Sequence, residues 1–322
     1  MAAQPTERSL PVTGVIVILM TVFAMALTDA FVKFSSASLT LWQIYVLRSS
    51  IAFPILLLLT RGAVWPSAPG WVALRSGALL LMYLAIYAAI PILDLSVIAA
   101  SLYTAPLFIV LLSSLVLGER IALLHWVGIA MGFAGVLLIV RPTAGGFSPL
   151  PLIPVAAALL YAIAAVLTRA KCAGETPMTK ALWLNATLLI AGCIASLAIG
   201  LAGPWPAYPF LFGNWAAMGP REWRIIVILA ALIIAVSIGL ARAYQSPKPQ
   251  IIATFDYAYL IFAAFWGYVF FNEVPGRTTV AGMILIALAG VSVLCIKPSA
   301  DGTASATARS GISGPVNEQP RS

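Results

Sequence analysis

Apolar runs of about twenty residues, repeated along almost the whole chain, constrain this sequence more than any other feature. A helix crossing a hydrocarbon layer of roughly 30 Å needs about 20 mostly apolar residues, each rising about 1.5 Å, and satisfies its backbone groups internally. Ten segments meet that demand: residues 11–29, 39–60, 72–93, 96–117, 121–140, 149–169, 179–200, 223–243, 250–271 and 275–296. They do not alternate as the strands of a membrane barrel would; residues 79–84 and 225–232 are continuously apolar. The chain is 62% hydrophobic and only 9% charged, where soluble domains carry about 25% charged residues. Too few charges remain to coat a soluble surface, so an all-α polytopic membrane protein is expected. The first segment is read as a span rather than a cleaved signal peptide, because Glu7 sits beside Arg8 before it and another span follows.

Loop charge gives the orientation, since cytoplasmic loops carry an excess of Lys and Arg. With the N-terminus inside, twelve basic residues fall on the inner side: Arg8, Arg61, Arg75, Arg120, Arg169, Lys171, Lys180, Arg242, Lys248, Lys297, Arg309 and Arg321. Five fall outside: Lys33, Arg141, Arg221, Arg224 and Arg277. Both termini are therefore expected in the cytoplasm. The charge-free run 181–220 is long enough for two spans, but Gly203, Pro204, Pro206, Pro209 and Gly213 break its second half. Residues 203–220 are read as an extramembrane loop that is dispensable for folding, with Trp205, Tyr208 and Trp215 at the interface. The Ser, Gly, Ala and Thr-rich stretch 299–322 reads as a disordered cytoplasmic tail, and residues 1–10 as a cytoplasmic segment.

The chain also repeats itself. A shift of 154 places Val97-Ile98-Ala99 on Ile251-Ile252-Ala253, Tyr103 on Tyr257, Phe108 on Phe262, Glu119 on Glu273 and Gly128 on Gly282. A shift of 136 brings Lys33 onto Arg169, the difference matching the loop at 203–220. Five spans per half is an odd number, so the halves, 11–142 and 143–298, enter the membrane from opposite sides. Inverted repeats of this kind are a mark of secondary transporters, whose two halves exchange roles in alternating access.

Leu107-Phe108, Leu117-Gly118-Glu119-Arg120, Trp126, Gly128, Gly132, Gly135 and Arg141-Pro142 resemble the end of an EamA domain. Phe271-Asn272-Glu273, Gly282, Gly290 and Lys297-Pro298 resemble its second copy. The sequence is thus similar to the drug/metabolite transporter superfamily, over about residues 10–298. The resemblance implies ten helices as two inverted five-helix repeats around a central cavity, in a bacterial inner membrane. Among its members, YddG-like amino-acid exporters look nearest. The implied function is export of amino acids, with flat heterocycles such as riboflavin, purines or S-adenosylmethionine as the alternative.

Polar residues at membrane depth are costly and are functional candidates by default. Arg48 lies in the second span and would meet either a substrate carboxylate or a structural partner such as Asp29. Tyr83 and Tyr87 lie one turn apart on the third span, Tyr103 on the fourth, Tyr161 on the sixth, and Asp256 and Tyr257 on the ninth. Tyrosine offers a ring to apolar groups and a hydroxyl to polar ones. These seven residues form the expected substrate site. Glu119 and Glu273 read as helix caps rather than ion ligands, and the glycines of the fifth and tenth spans as packing or dimerisation surfaces. Trp183 and Trp266 are read as lipid-facing.

A single histidine, His125, and three scattered cysteines leave no metal site or disulfide framework. No phosphate-binding loop occurs, and no deep aspartate pair with a GxGD motif marks an intramembrane protease. No enzyme activity, cofactor, metal or nucleic-acid partner is expected. The expected partners are a small-molecule substrate and membrane lipid, with the protein a monomer or homodimer.

Overall fold

The computed structural model describes residues 12–117, 123–140, 149–243, 252 and 255–295. The terminal segments 1–10 and 299–322, Glu119, the side chain of His125, Arg141-Pro142 and Lys297-Pro298 lie outside that description. The described residues contain helices and turns and no strand. In chain order the helices are α1 (Val12–Ser35), α2 (Leu41–Leu59), α3 (Pro69–Ala89), α4 (Leu95–Leu102), α5 (Ala105–Leu117) and α6 (Leu123–Val140). They continue with α7 (Leu152–Lys171), α8 (Pro177–Ala202), the short α9 (Pro209–Phe212), α10 (Pro220–Ala243), α11 (Ala258–Phe271) and α12 (Arg277–Cys295). Among the described residues, seven spans are long and apolar enough to cross a membrane: α1, α2, α3, α4 with α5, α7, α8 and α10. Shorter apolar helices fall in α6, α11 and α12. The protein is an all-helical, multi-pass membrane protein.

Local chemistry sets several boundaries. Thr40 caps α2 by accepting from Gln43 N–H, and Thr176 caps α8 by accepting from Thr179 N–H, with Pro177 at the first turn. Pro106 lacks an N–H and crowds the carbonyl of Leu102, so the fourth span breaks between α4 and α5. α11 ends on Asn272 in the left-handed conformation, φ 55°.

Helix α1 runs six residues past the expected end at 29. A carboxylate ends a hydropathy run, but it does not end a helix whose polar side chain is met by a neighbour. Asp29 therefore lies within α1, not at its terminus, and Lys33 occupies its last turn.

Helices α1, α2, α3, α4 and α11 gather around the tyrosines. α1 packs on α10 and α11, while α7 packs on α3, α4 and α5. α2 pairs with α8 and also meets α10; α8 also meets α3. α4 meets α11, and α6 lies along α12. The α6–α12 contact is close because Gly135 and Gly282 face one another. A Cβ on Gly135 would stand 2.9 Å from the Gly282 carbonyl, and one on Gly282 would stand 2.7 Å from the Gly135 carbonyl. This glycine face is consumed inside the chain, which is the packing role.

The loop at 203–220 departs from expectation. Trp42 Nε1 donates to the Leu211 carbonyl at 2.7 Å. Buried Gln43 donates to the Ala216 carbonyl and accepts from Ala216 N–H, both at 3.0 Å. Phe210 is buried in the core with Ile225 and Leu229. The loop is a packed cover over the start of α2, not a dispensable appendage; its prolines break the helix but its apolar residues still find the bundle.

Trp183 and Trp266 are also tied inward. Trp183 Nε1 donates to the Val64 carbonyl at 3.0 Å, and Trp266 packs against Phe23, Phe265 and Phe270. Their rings bridge helices and loops, which lipid contact alone would not require.

Candidate functional site

Two groups of tyrosines meet at the centre of these helices. The first is built on α2 and α3: Tyr45 and Tyr87 lie 6.0 Å apart by ring centroid, and Tyr83 and Tyr87 5.7 Å. The second lies where the fourth and ninth spans are interrupted. Tyr103 closes α4, and Tyr257 occupies the turn before α11. Their rings meet edge to face at 5.1 Å, and Tyr103 stacks on Tyr259 at 5.2 Å with 16° between planes. The Tyr103 hydroxyl donates to the Asp256 carbonyl at 2.9 Å, tying the two interruptions together.

Asp29 joins the two groups. Tyr259 donates a short hydrogen bond to its carboxylate, the Tyr87 hydroxyl faces it, and it lies in the field of Arg48. Arg48 is 2% exposed and rests its guanidinium 5.6 Å from the centre of the Tyr45 ring. Among the described residues it forms no ion pair, and its Nε has no hydrogen-bond partner.

The expected site residues are thus distributed unevenly. Arg48, Tyr83, Tyr87 and Tyr103 belong to this connected cluster. Tyr161 on α7 is 43% exposed and sits in the field of Asp256, Tyr83 and Arg75, on an open side of the cluster. Asp256 is half-buried beside Tyr161 and Tyr257. Tyr257 keeps its ring against Tyr103, but its hydroxyl points to α12. A Cβ on Gly290 would lie 1.6 Å from that oxygen, which has no hydrogen-bond partner. Tyr257 therefore offers this cluster a ring edge and not a hydroxyl.

Asp29, Tyr45 and Tyr259 complete the cluster although they were not among the expected site residues. The signal that points to Asp29 is charge. Asp29 and Arg48 are opposite charges deep in adjacent spans, and two such groups rarely occur at depth without a shared purpose.

A second polar knot lies at the Lys33 end of the bundle. Lys33 pairs with Glu273 and donates to the Leu93 carbonyl at 2.6 Å, with Phe271 beneath its ammonium at 5.1 Å. The other Glu273 oxygen accepts from Leu95 N–H at 2.9 Å. Asp94, at the N-cap of α4, makes no side-chain cap bond. Glu273 is therefore a helix cap, as its position suggested, but for α4 and not for the helix that follows it.

Two cavities of about 510 and 410 Å³ flank Trp42 beneath the 203–220 loop. They are lined largely by apolar groups, Leu81, Leu84, Leu160 and Leu211 among them in the smaller, and neither includes the central tyrosines.

Against known proteins, residues 12–141 match the EamA-like transporter family. A riboflavin transporter of Rhizobium johnstonii is 30% identical over 81% of this chain and 82% of its own length. The chain belongs to the EamA-like transporter family. The pseudopaline exporter CntI of Pseudomonas aeruginosa is 28% identical to this EamA-like chain over 87% of it and 95% of the exporter. An S-adenosylmethionine uptake transporter of Rickettsia prowazekii is 23% identical over 57% of the chain and 58% of that transporter. A solved crystal structure superposes on 90% of the chain and all of its own, with a TM-score of 0.59 and 19% identity, which supports the shared fold. The protein is a membrane transporter, and its helices match the drug/metabolite type.

Proposed function

We propose that this EamA-like protein is a secondary carrier that moves a small metabolite by alternating access between two inverted five-span repeats, 11–142 and 143–298. One observation carries this reading. The fourth and ninth spans are interrupted at repeat-related tyrosines, Tyr103 and Tyr257, and those tyrosines touch. Interrupted helices meeting at a repeat interface are where transporters of inverted symmetry hold cargo. The most extensive helix contacts follow the same exchange. α1 on α10 answers α7 on α3; α1 on α11 answers α7 on α4 and α5; α2 on α10 answers α8 on α3. The pairs α2–α8, α4–α11 and α6–α12 map onto themselves.

The proposed site is Arg48, Tyr83, Tyr87, Tyr103, Tyr161, Asp256 and Tyr257, with Asp29, Tyr45 and Tyr259 added. Its rings are packed on one another, so cargo enters only when the halves separate them. Amino acids, exported from the cytoplasm of a bacterium across its inner membrane, fit a site that offers aromatic faces, hydroxyls and charge together. Ten spans and two cytoplasmic termini accord with the basic residues of the loops. A second reading is a flat heterocycle, favoured by the near-parallel Tyr103 and Tyr259 rings and by the relative named as a riboflavin transporter. Proteoliposomes offered labelled amino acids, riboflavin and purines test both. Saturable amino-acid flux with no riboflavin flux supports the first, the converse supports the second, and no flux of any panel member would refute the carrier reading for these cargo classes.

A further inference from the structure

Arg48 is a buried charge with no ion pair among the described residues. It is 2% exposed, its Nε lacks a partner, and no carboxylate of the described residues lies within ion-pair distance. An arginine at membrane depth costs several kcal/mol unless it is paired. Here it has only the face of Tyr45 at 5.6 Å and the field of Asp29. The buried hydroxyls of Tyr45 and Ser49, three residues before it and one after, also lack partners. A guanidinium left open is what a carboxylate fills, because its two oxygens match the planar fork.

Asp29 supplies the opposite charge. The Tyr259 hydroxyl donates to it, and the Tyr87 hydroxyl faces it. It stays half-buried while its neighbours are sealed. Arg48 and Asp29 feel one another's charge but form no ion pair, and the contact of Tyr45, under Arg48, with Tyr87 links the two. A second guanidinium with an open donor lies on α3. Arg75 on α3 donates from Nε to Thr168 Oγ1 at 2.7 Å, and its Nη1 is buried without a partner. Tyr83 lies in the fields of Arg48, Asp29 and Arg75 at once.

We infer that the cargo is a zwitterion whose carboxylate is received by Arg48 and whose ammonium is received by Asp29. The inference rests on the carrier reading above and assigns its substrate class. It separates amino-acid-like cargo from a neutral ring system, which would leave both charges unanswered.

The test uses purified full-length protein in lipid nanodiscs, with ligand binding read from thermal stabilisation. The probes are phenylalanine and leucine, their amides, which lack the carboxylate, 3-phenylpropionate, which lacks the ammonium, and riboflavin. The expected result is that the wild type prefers an amino acid over its amide by about 10- to 100-fold, the factor corresponding to a charged hydrogen bond. Arg48→Gln should abolish that preference, and Arg48→Lys should retain part of it. Asp29→Asn should keep the preference for acid over amide but lose the preference for phenylalanine over 3-phenylpropionate. The wild-type comparison of acid with amide needs no variant, so a folding defect in Arg48→Gln does not rescue the idea. Equal binding of acid and amide, absence of binding by either amino acid, or an intact preference in folded Arg48→Gln would overturn it. Stabilisation by riboflavin alone overturns this assignment and leaves the carrier reading standing, since that reading is decided by flux in proteoliposomes.

Discussion

Replacing Glu273 should separate two jobs that one side chain performs. Its Oε2 caps α4 through Leu95 N–H, and its Oε1 meets Lys33; both side chains of the pair are 12% exposed. A lost cap costs about 1 kcal/mol. Exposed ion pairs contribute about 0.2–1 kcal/mol, while breaking a buried one costs about 3–5 kcal/mol because the remaining charge is stranded. At this exposure the pair falls between those limits, so about 2 kcal/mol is a fair figure. Glu273→Ala loses both roles and should destabilise the protein by about 3 kcal/mol. Glu273→Gln keeps a carbonyl for Leu95 N–H and should lose about 2 kcal/mol. In a double-mutant cycle with Lys33→Met, the coupling should reach about 1–2 kcal/mol, since the second change removes the stranded ammonium. Equilibrium unfolding in detergent micelles, followed by circular dichroism, measures all four proteins. Coupling below about 0.5 kcal/mol, or indistinguishable Gln and Ala variants, would show that Glu273 does not do both jobs.

Gln43→Ala leaves the Ala216 N–H and carbonyl without their partner and should cost about 2–3 kcal/mol, with faster proteolysis of the 203–220 loop as a second measurement. Deleting residues 204–212 should lower the yield of folded protein in membranes, since Phe210 leaves the core with them. Tyr257→Phe removes a buried hydroxyl that has no partner, so stability and flux should match the wild type, whereas Tyr259→Phe removes the Asp29 hydrogen bond and should cost about 1.5–3 kcal/mol. Gly290→Ala drives a methyl into the Tyr257 ring and should destabilise by about 1–3 kcal/mol; Tyr257→Leu in the same background should recover part of that loss in the same unfolding assay.

The sequence by itself determined that the chain is a bundle of apolar helices. A hydrocarbon layer leaves a helix no other way to satisfy its backbone, and the required length is a property of each segment alone. It also marked the tyrosines that gather at the centre, because polar groups at depth are few. What a neighbour supplies was not legible. Hydropathy counts the Asp29 carboxylate as an ending of α1, whereas Tyr259, 230 residues away, makes it an interior residue. Glu273 was recognisable as a cap, but the helix it caps, α4, lies 178 residues back along the chain. The loop at 203–220 has the composition of a linker, and its contacts with Gln43, Trp42 and the core reveal that it is held. Tyr257 was marked by its symmetry with Tyr103, yet its hydroxyl goes where Gly290 leaves room. Local composition sets which segments enter the membrane. Which side chains face one another depends on how the helices cross, and that is decided by contacts between residues far apart in the chain.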